Sequence, residues 1–182
     1  MKKYFGFTIV ELMVVVAVIG ILAAISAVAY TGIIDRGNNA KTLVLVKQYE
    51  DIMRLYKLDT GTYPNVSAEY ACLPAALPAT TTFAANVCEV ANGANVATTT
   101  PDGKDFKAML STVKAVLPDV TYADTFINYQ SGTGWKARGM VYTDDGASSI
   151  RFHLAGTGDC PLGVREGGAG SGSSSVCTLY LK

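Results

Sequence analysis

The chain has 182 residues, room for one domain of ordinary size or for one domain and an anchor. Fifteen Lys and Arg balance fifteen Asp and Glu, so there is no cationic surplus to hold a nucleic-acid backbone. Only 16% of residues are charged, against roughly 25% in soluble proteins, and 49% are hydrophobic, so some apolar surface must face something other than water. One His and four separated Cys supply few parts for metal or nucleophilic catalysis. The expectation is a protein with no catalytic residues, no cofactor and no metal.

The apolar surplus lies at the start. Leu12 to Ile34 runs for 23 residues without a charge, long enough to cross a bilayer core of about 30 Å as a helix. Lys2 and Lys3 precede it and Asp35 with Arg36 follow, which predicts a cytoplasmic N-terminus and an external C-terminus. Glu11 breaks the pattern. A carboxylate costs about 2.5 to 3.5 kcal/mol at the centre of an inserted helix, and less toward its end, so it calls for a partner or for access to water. A cut between Gly6 and Phe7 would create an ammonium on Phe7, one helical turn from Glu11, able to pair with its own or a neighbour's carboxylate.

The run Gly6-Phe7-Thr8-Ile9-Val10-Glu11-Leu12-Met13, followed by Val14 to Ile25 with Gly20 inside it, resembles the N-terminus of type IV prepilins. The resemblance is close over about the first 34 residues and architectural beyond them. It implies a leader ending at Gly6, cleavage by a prepilin peptidase, N-methylation of Phe7, and assembly through Phe7, Glu11 and Gly20. Two positions depart from the family pattern: Phe5 stands where a basic residue is usual, and Val28 where many members carry a helix-bending Pro. The alternative is a secretory signal peptide with Ala27-Val28-Ala29 as its cleavage site, which would release a soluble domain near Tyr30. Glu11 at the start of the hydrophobic region is unusual for such a peptide.

Past the apolar run, Leu45, Tyr49, Ile52 and Tyr56 recur at spacings of four and three among charged residues, predicting an amphipathic helix over 38–60. If it continues the first helix, with Gly37 as the place for a kink, Phe7 to Thr60 would measure roughly 80 Å. Its stripe is expected to carry a C-terminal sheet, and Gly61 to stop it. The Ala-, Thr-, Asn- and Pro-rich stretch Asn65 to Pro101 has no sustained period and reads as an irregular connection. Phe106, Met109, Leu110, Val113, Val116 and Leu117 predict one face of a short helix ending at Pro118. Strands are predicted at Phe126 to Tyr129, Trp135 to Thr143, Ser149 to Ala155 and Val176 to Leu181, with turns at Gly132 to Gly134 and Asp144-Asp145-Gly146 and an exposed loop over Glu166 to Ser175.

Cys72 and Cys88 enclose 15 residues, and Cys160 and Cys177 enclose 16. Four cysteines allow three connectivities. The two local loops are favoured because each would pin a loose segment, with about 3 kcal/mol expected from a loop of that length in an oxidising exterior. Cys160 with Cys177 also resembles the C-terminal disulfide loop of pilins. His153, between Phe152 and Leu154 on a strand, is expected to face solvent. Asn65-Val66-Ser67 matches a glycosylation acceptor triplet, a pattern common by chance.

Together these readings predict an α+β pilin fold, a long N-terminal helix packed on a four-stranded antiparallel sheet. The expected division is a leader at 1–6, a transmembrane or filament-core helix at 7–34, and an extracellular head at 35–182. Within the head, the helix runs to about 60, a loop and short helix to 118, and the sheet over 122–182. The family resemblance implies a structural subunit of a type IV pilus serving motility, adhesion or DNA uptake, or a minor pilin or type II secretion pseudopilin. It also implies the partners: further copies in a helical filament, the peptidase, a platform protein and assembly ATPases. The precursor would be a single-pass protein of the inner or cytoplasmic membrane.

Overall fold

A computed structural model describes residues 7–66, 70–73, 77, 79, 83–91, 94–98, 106–118, 127–128, 136–144, 146–156, 158–165 and 174–182. The leader with Gly6, Ser67 of the acceptor triplet, Phe126, Tyr129, the turn at Gly132 to Gly134, Trp135, Asp145 and most of the run from Glu166 lie outside the described residues. The chain divides into two compact units, Met1–Gly37 and Asn38–Lys182. One helix, α1 (Ile9–Thr60), contributes to both and is unbroken at Gly20, Gly32 and Gly37.

In the first unit the described side chains of α1 are exposed throughout Ile9 to Ser26, the one helical window among the described residues long and apolar enough to cross a membrane. Its single hydroxyl is satisfied locally, since Ser26 Oγ donates to the Leu22 carbonyl at 2.8 Å.

In the second unit α1 becomes the spine of a core. Val46, Tyr49, Ile52 and Met53 are buried, with Leu45 and Tyr56 half-buried beside them. They pack in one cluster with Met140, Tyr142, Ile150, Phe152, Leu154, Cys177 and Leu181, so the stripe read from the sequence meets the sheet. Gly61 ends the helix at φ +86°, its N–H donating to the Lys57 carbonyl, a left-handed cap that L side chains resist. Asn39 ties the start of this unit to a strand end. Its amide donates to the Ala155 carbonyl at 2.9 Å and accepts from the Ala155 N–H at 2.8 Å, replacing a missing strand neighbour.

The described residues form a nine-stranded sheet where four strands were expected: β1 (Tyr70–Leu73), β2 (Val87–Ala91), β3 (Ala94–Thr98), β4 (Ile127–Asn128), β5 (Lys136–Ala137), β6 (Met140–Asp144), β7 (Ser148–Ala155), β8 (Val164–Arg165) and β9 (Ser174–Tyr180). Their order is β4-β5-β2-β3-β1-β6-β7-β9-β8, antiparallel except for the parallel pair β1 and β3. Three of the additional strands come from the Asn65 to Pro101 stretch. These strands are only four or five residues long, and the β2–β3 pairing carries register shifts around Glu89, so no alternation survives to be read.

The run predicted as one strand over Trp135 to Thr143 is two. Its first part, β5, pairs with β2, and its second part, β6, pairs with β1 after a corner at Arg138-Gly139. Since β2 pairs with β3 and β3 with β1, the hydrogen-bonded strands close a circuit. Arg138 holds the corner: its backbone N–H donates to the Cys88 carbonyl at 2.8 Å, its Nε to the Val87 carbonyl at 2.8 Å, and its Nη2 to the Ala84 carbonyl at 3.1 Å. The guanidinium also stands over the Phe83 ring.

The helix α2 (Phe106–Ser111) is shorter than its apolar face suggested. Beyond Ser111 the backbone switches to i to i−3 bonds, Thr112 to Met109 and Val113 to Leu110, and Val116 emerges exposed where a continued helix would bury it. Phe106 and Leu110 are buried, and Phe106 stacks on Tyr142 at 5.3 Å between ring centroids.

Candidate functional site

The residues singled out from the sequence fall in two places: the start of α1, and the head with its disulfides. At the start, Phe7 is 77% exposed and Thr8 is the N-cap of α1. The first turn of a helix leaves its N–H groups without helical partners. Here the Thr8 N–H donates to Glu11 Oε2 at 2.9 Å, Thr8 Oγ1 donates to the same oxygen at 2.7 Å, and the Glu11 N–H returns a bond to Thr8 Oγ1 at 3.3 Å. This is a reciprocal capping box, with the acidic side chain at the positive end of the helix dipole. Glu11 thus finds a partner in its own chain, one residue past the group the sequence pointed to. Thr8 was missed, although Thr-x-x-Glu before an apolar run is the sequence pattern of such a box.

Two features of this arrangement matter chemically. Every group in the box lies on the C-terminal side of the Gly6–Phe7 peptide bond, so the box persists whether or not that bond is cut. Both side-chain bonds converge on Oε2, and among the described residues Oε1 accepts none. Gly20 sits nine residues further along α1, where an added Cβ would meet nothing within 4 Å.

In the head the cysteines form two bonds, Cys72–Cys88 and Cys160–Cys177. The first joins β1 to β2 across the intervening β3 and packs with Leu77 and Val141 on the face of the sheet turned away from α1. On β7, Arg151 forms an ion pair with the buried Glu89 of β2 at 2.6 Å and lies over the Tyr70 ring. The second disulfide fastens the loop before β8 to β9, and Ser175 Oγ bonds the carbonyls of Gly156 and Gly158 in the same loop.

His153 corrects an expectation. It is 7% exposed, not solvent-facing, because β7 lies between β6 and β9 and both of its faces are covered: Ser149 and His153 are buried as well as Ile150, Phe152 and Leu154. Burial, with the neighbouring Arg151 charge adding to it, lowers its pKa to about 4. A second buried ionisable group, Glu50 on α1, is held between Lys47 at 2.7 Å and Arg54 at 2.8 Å. The Lys47 hydrogen bond is the main cause of its lowered pKa, acting against burial and joined by Arg54. Asn65 is exposed, while Ser67 lies outside the described residues. Among the described residues no three His, Cys, Asp or Glu come together as metal ligands would.

The comparisons with known proteins bear on the first of these places. Residues 1–27 match the prokaryotic N-terminal methylation motif. Over 65 residues the chain is 36% identical to the type II secretion system core protein G of Vibrio cholerae, covering 36% of this chain and 44% of that protein. Over 71 residues it is 37% identical to the type IV major pilin protein PilE1 of Neisseria gonorrhoeae, covering 38% and 43%. Over 63 residues it is 38% identical to the fimbrial protein EcpC of Eikenella corrodens, covering 35% and 41%. The alignments thus span less than half the length of these relatives, and no solved structure matches the chain. With the methylation motif at its start, relatives among both pilins and pseudopilins, and a long N-terminal helix followed by a largely antiparallel sheet, the chain is a member of the type IV pilin superfamily.

Proposed function

We propose that this chain is a structural subunit of an extracellular type IV filament, held in the membrane by α1 until a prepilin peptidase cuts between Gly6 and Phe7. The observation that carries the reading is the exposed apolar surface from Ile9 to Ser26 on the same helix whose later turns form the core of a disulfide-bonded head. Such a surface needs lipid or other helices around it, and assembly exchanges the first for the second. The relatives are structural pilins, and the role proposed here is non-enzymatic.

In this reading the mature chain begins at Phe7, and its ammonium pairs with Oε1 of Glu11 on a neighbouring copy while Oε2 keeps the cap. Two unit charges about 4 Å apart attract by about 4 kcal/mol at an effective dielectric of 20. Desolvation offsets much of that, so the pair acts mainly on register. Export of the head, the platform protein and the assembly ATPases complete the proposal, with motility, adhesion and DNA uptake as its outputs. The similarity to a type II secretion core protein supports a second reading, a pseudopilin or minor subunit.

The test is intact mass and N-terminal peptide mass on filaments sheared from cells that produce the chain. A methylated Phe7 terminus on the dominant filament protein is expected. Trace incorporation would favour the minor-subunit reading, and a terminus at Tyr30 would overturn both.

A further inference from the structure

The second unit has one exposed apolar groove that its core does not use. Leu55, Leu58 and Asp59 of α1 face Thr112 and Val113, just past α2, across an open space of about 430 Å³. Leu58 is 81% exposed and Leu55 47%. The first unit has its own uncovered apolar surface beyond reach of lipid. A bilayer core is crossed by about 20 residues, which counted from Ile9 are used up near Val28. Ile33 and Ile34 come after that point, 67% and 42% exposed. Asp35 and Arg36 follow them directly, while Lys57 and Asp59 flank Leu58.

We infer that this groove receives the Ile33–Arg36 segment of a second copy of the chain. The apolar pair fills the space between Leu55, Leu58 and Val113. Arg36 meets Asp59, and Asp35 meets Lys57, so the charges complement each other in both signs. Successive parts of one helix cannot pack against each other, which leaves another copy as the source of the segment. The inference rests on the filament reading and deepens it by naming a contact outside the apolar run. Parallel copies joined this way are offset by about 23 residues, on the order of 35 Å along α1, far more than a Phe7–Glu11 pairing requires. The groove therefore engages a more distant copy than the one that supplies Phe7.

The experiment is thiol cross-linking on intact filaments of full-length chain. The described native cysteines are all disulfide-bonded, so a bismaleimide reads only introduced thiols. The double variant Ile34→Cys with Leu58→Cys is expected to give a multimer ladder at least tenfold stronger than either single variant; both positions are exposed, so folding is undisturbed. In parallel, Arg36→Asp and Asp59→Arg should each cut filament yield several-fold, and the combination should restore it to within twofold. Normal filaments without a ladder, or charge reversals whose losses simply add, would overturn the contact and leave the filament reading standing. An equally strong ladder from Leu58→Cys alone would show groove facing groove and also overturn it. Absence of filaments from the unaltered chain would remove both readings.

Discussion

Glu11 carries two separable roles, and substitutions divide them. Its carboxylate caps α1 through Thr8 in any state of the chain, and the proposed ion pair with Phe7 adds a charge requirement on assembly. Thr8→Ala removes the hydroxyl contacts but leaves the carboxylate, and should cost about 1 kcal/mol of helix stability with filaments still forming. Glu11→Gln keeps an acceptor for the Thr8 N–H and loses the charge. It should be processed and inserted normally yet give few filaments, as should Glu11→Ala. Filament yield by shearing and electron microscopy checks this, and normal yield from Glu11→Gln would leave capping as the whole role. His153 supports a pH prediction. Its folded pKa of about 4 lies below the unfolded value of about 6.5, so the native state binds fewer protons. The stability it confers is complete above pH 6.5 and is lost as pH falls toward 4, by about 3 kcal/mol in all. Glu50, whose pKa is lowered from the carboxylate value, adds its loss only at still lower pH. Urea titrations in detergent between pH 7 and pH 4.5 should therefore show a decline that His153→Gln flattens.

At the scale of elements, hydrophobic period was legible wherever one side chain face decides the structure. Tyr49 and Ile52 on α1 and Ile150, Phe152 and Leu154 on β7 are buried where their spacing put them. The reading fails where backbone pairing or a second covering layer decides instead. The short strands β1, β2 and β3 are held by ladders, by a register shift and by Cys72–Cys88, none of which leaves an alternation in Ala, Thr and Asn. His153 is inside because its face of the sheet is covered, a fact of tertiary packing that no local window contains. At the start of α1 the position of Glu11 was readable, while its partner Thr8 was missed because attention to charge passed over a cap. The loop before β8 offers the element-scale test. Gly163 sits at φ +78°, and a Cβ there would run into the Thr178 carbonyl. Gly163→Ala should cost about 1 to 3 kcal/mol, lowering Tm by several degrees. Limited proteolysis should find the Cys160–Cys177 loop opened first; protection equal to the unaltered chain would show that the loop yields without strain.

For the whole molecule, the proposed route begins with a single cut, so blocking it should stop everything downstream. Gly6→Leu is expected to leave the uncut precursor in the membrane, seen by intact mass, with its head folded and both disulfides formed. Unchanged processing would remove the peptidase from the scheme. The sheet itself has one more consequence for a protein that works at the density of a polymer. Its outermost strands, β4 and β8, are only two residues long. An edge strand offers unpaired N–H and C=O groups to any passing chain, and a two-residue edge offers too few to template a cross-β stack. Heads crowded against one another along a fibre are in this way kept from zipping sheet to sheet, and association is left to helices, which can be pulled apart again without unravelling the fold.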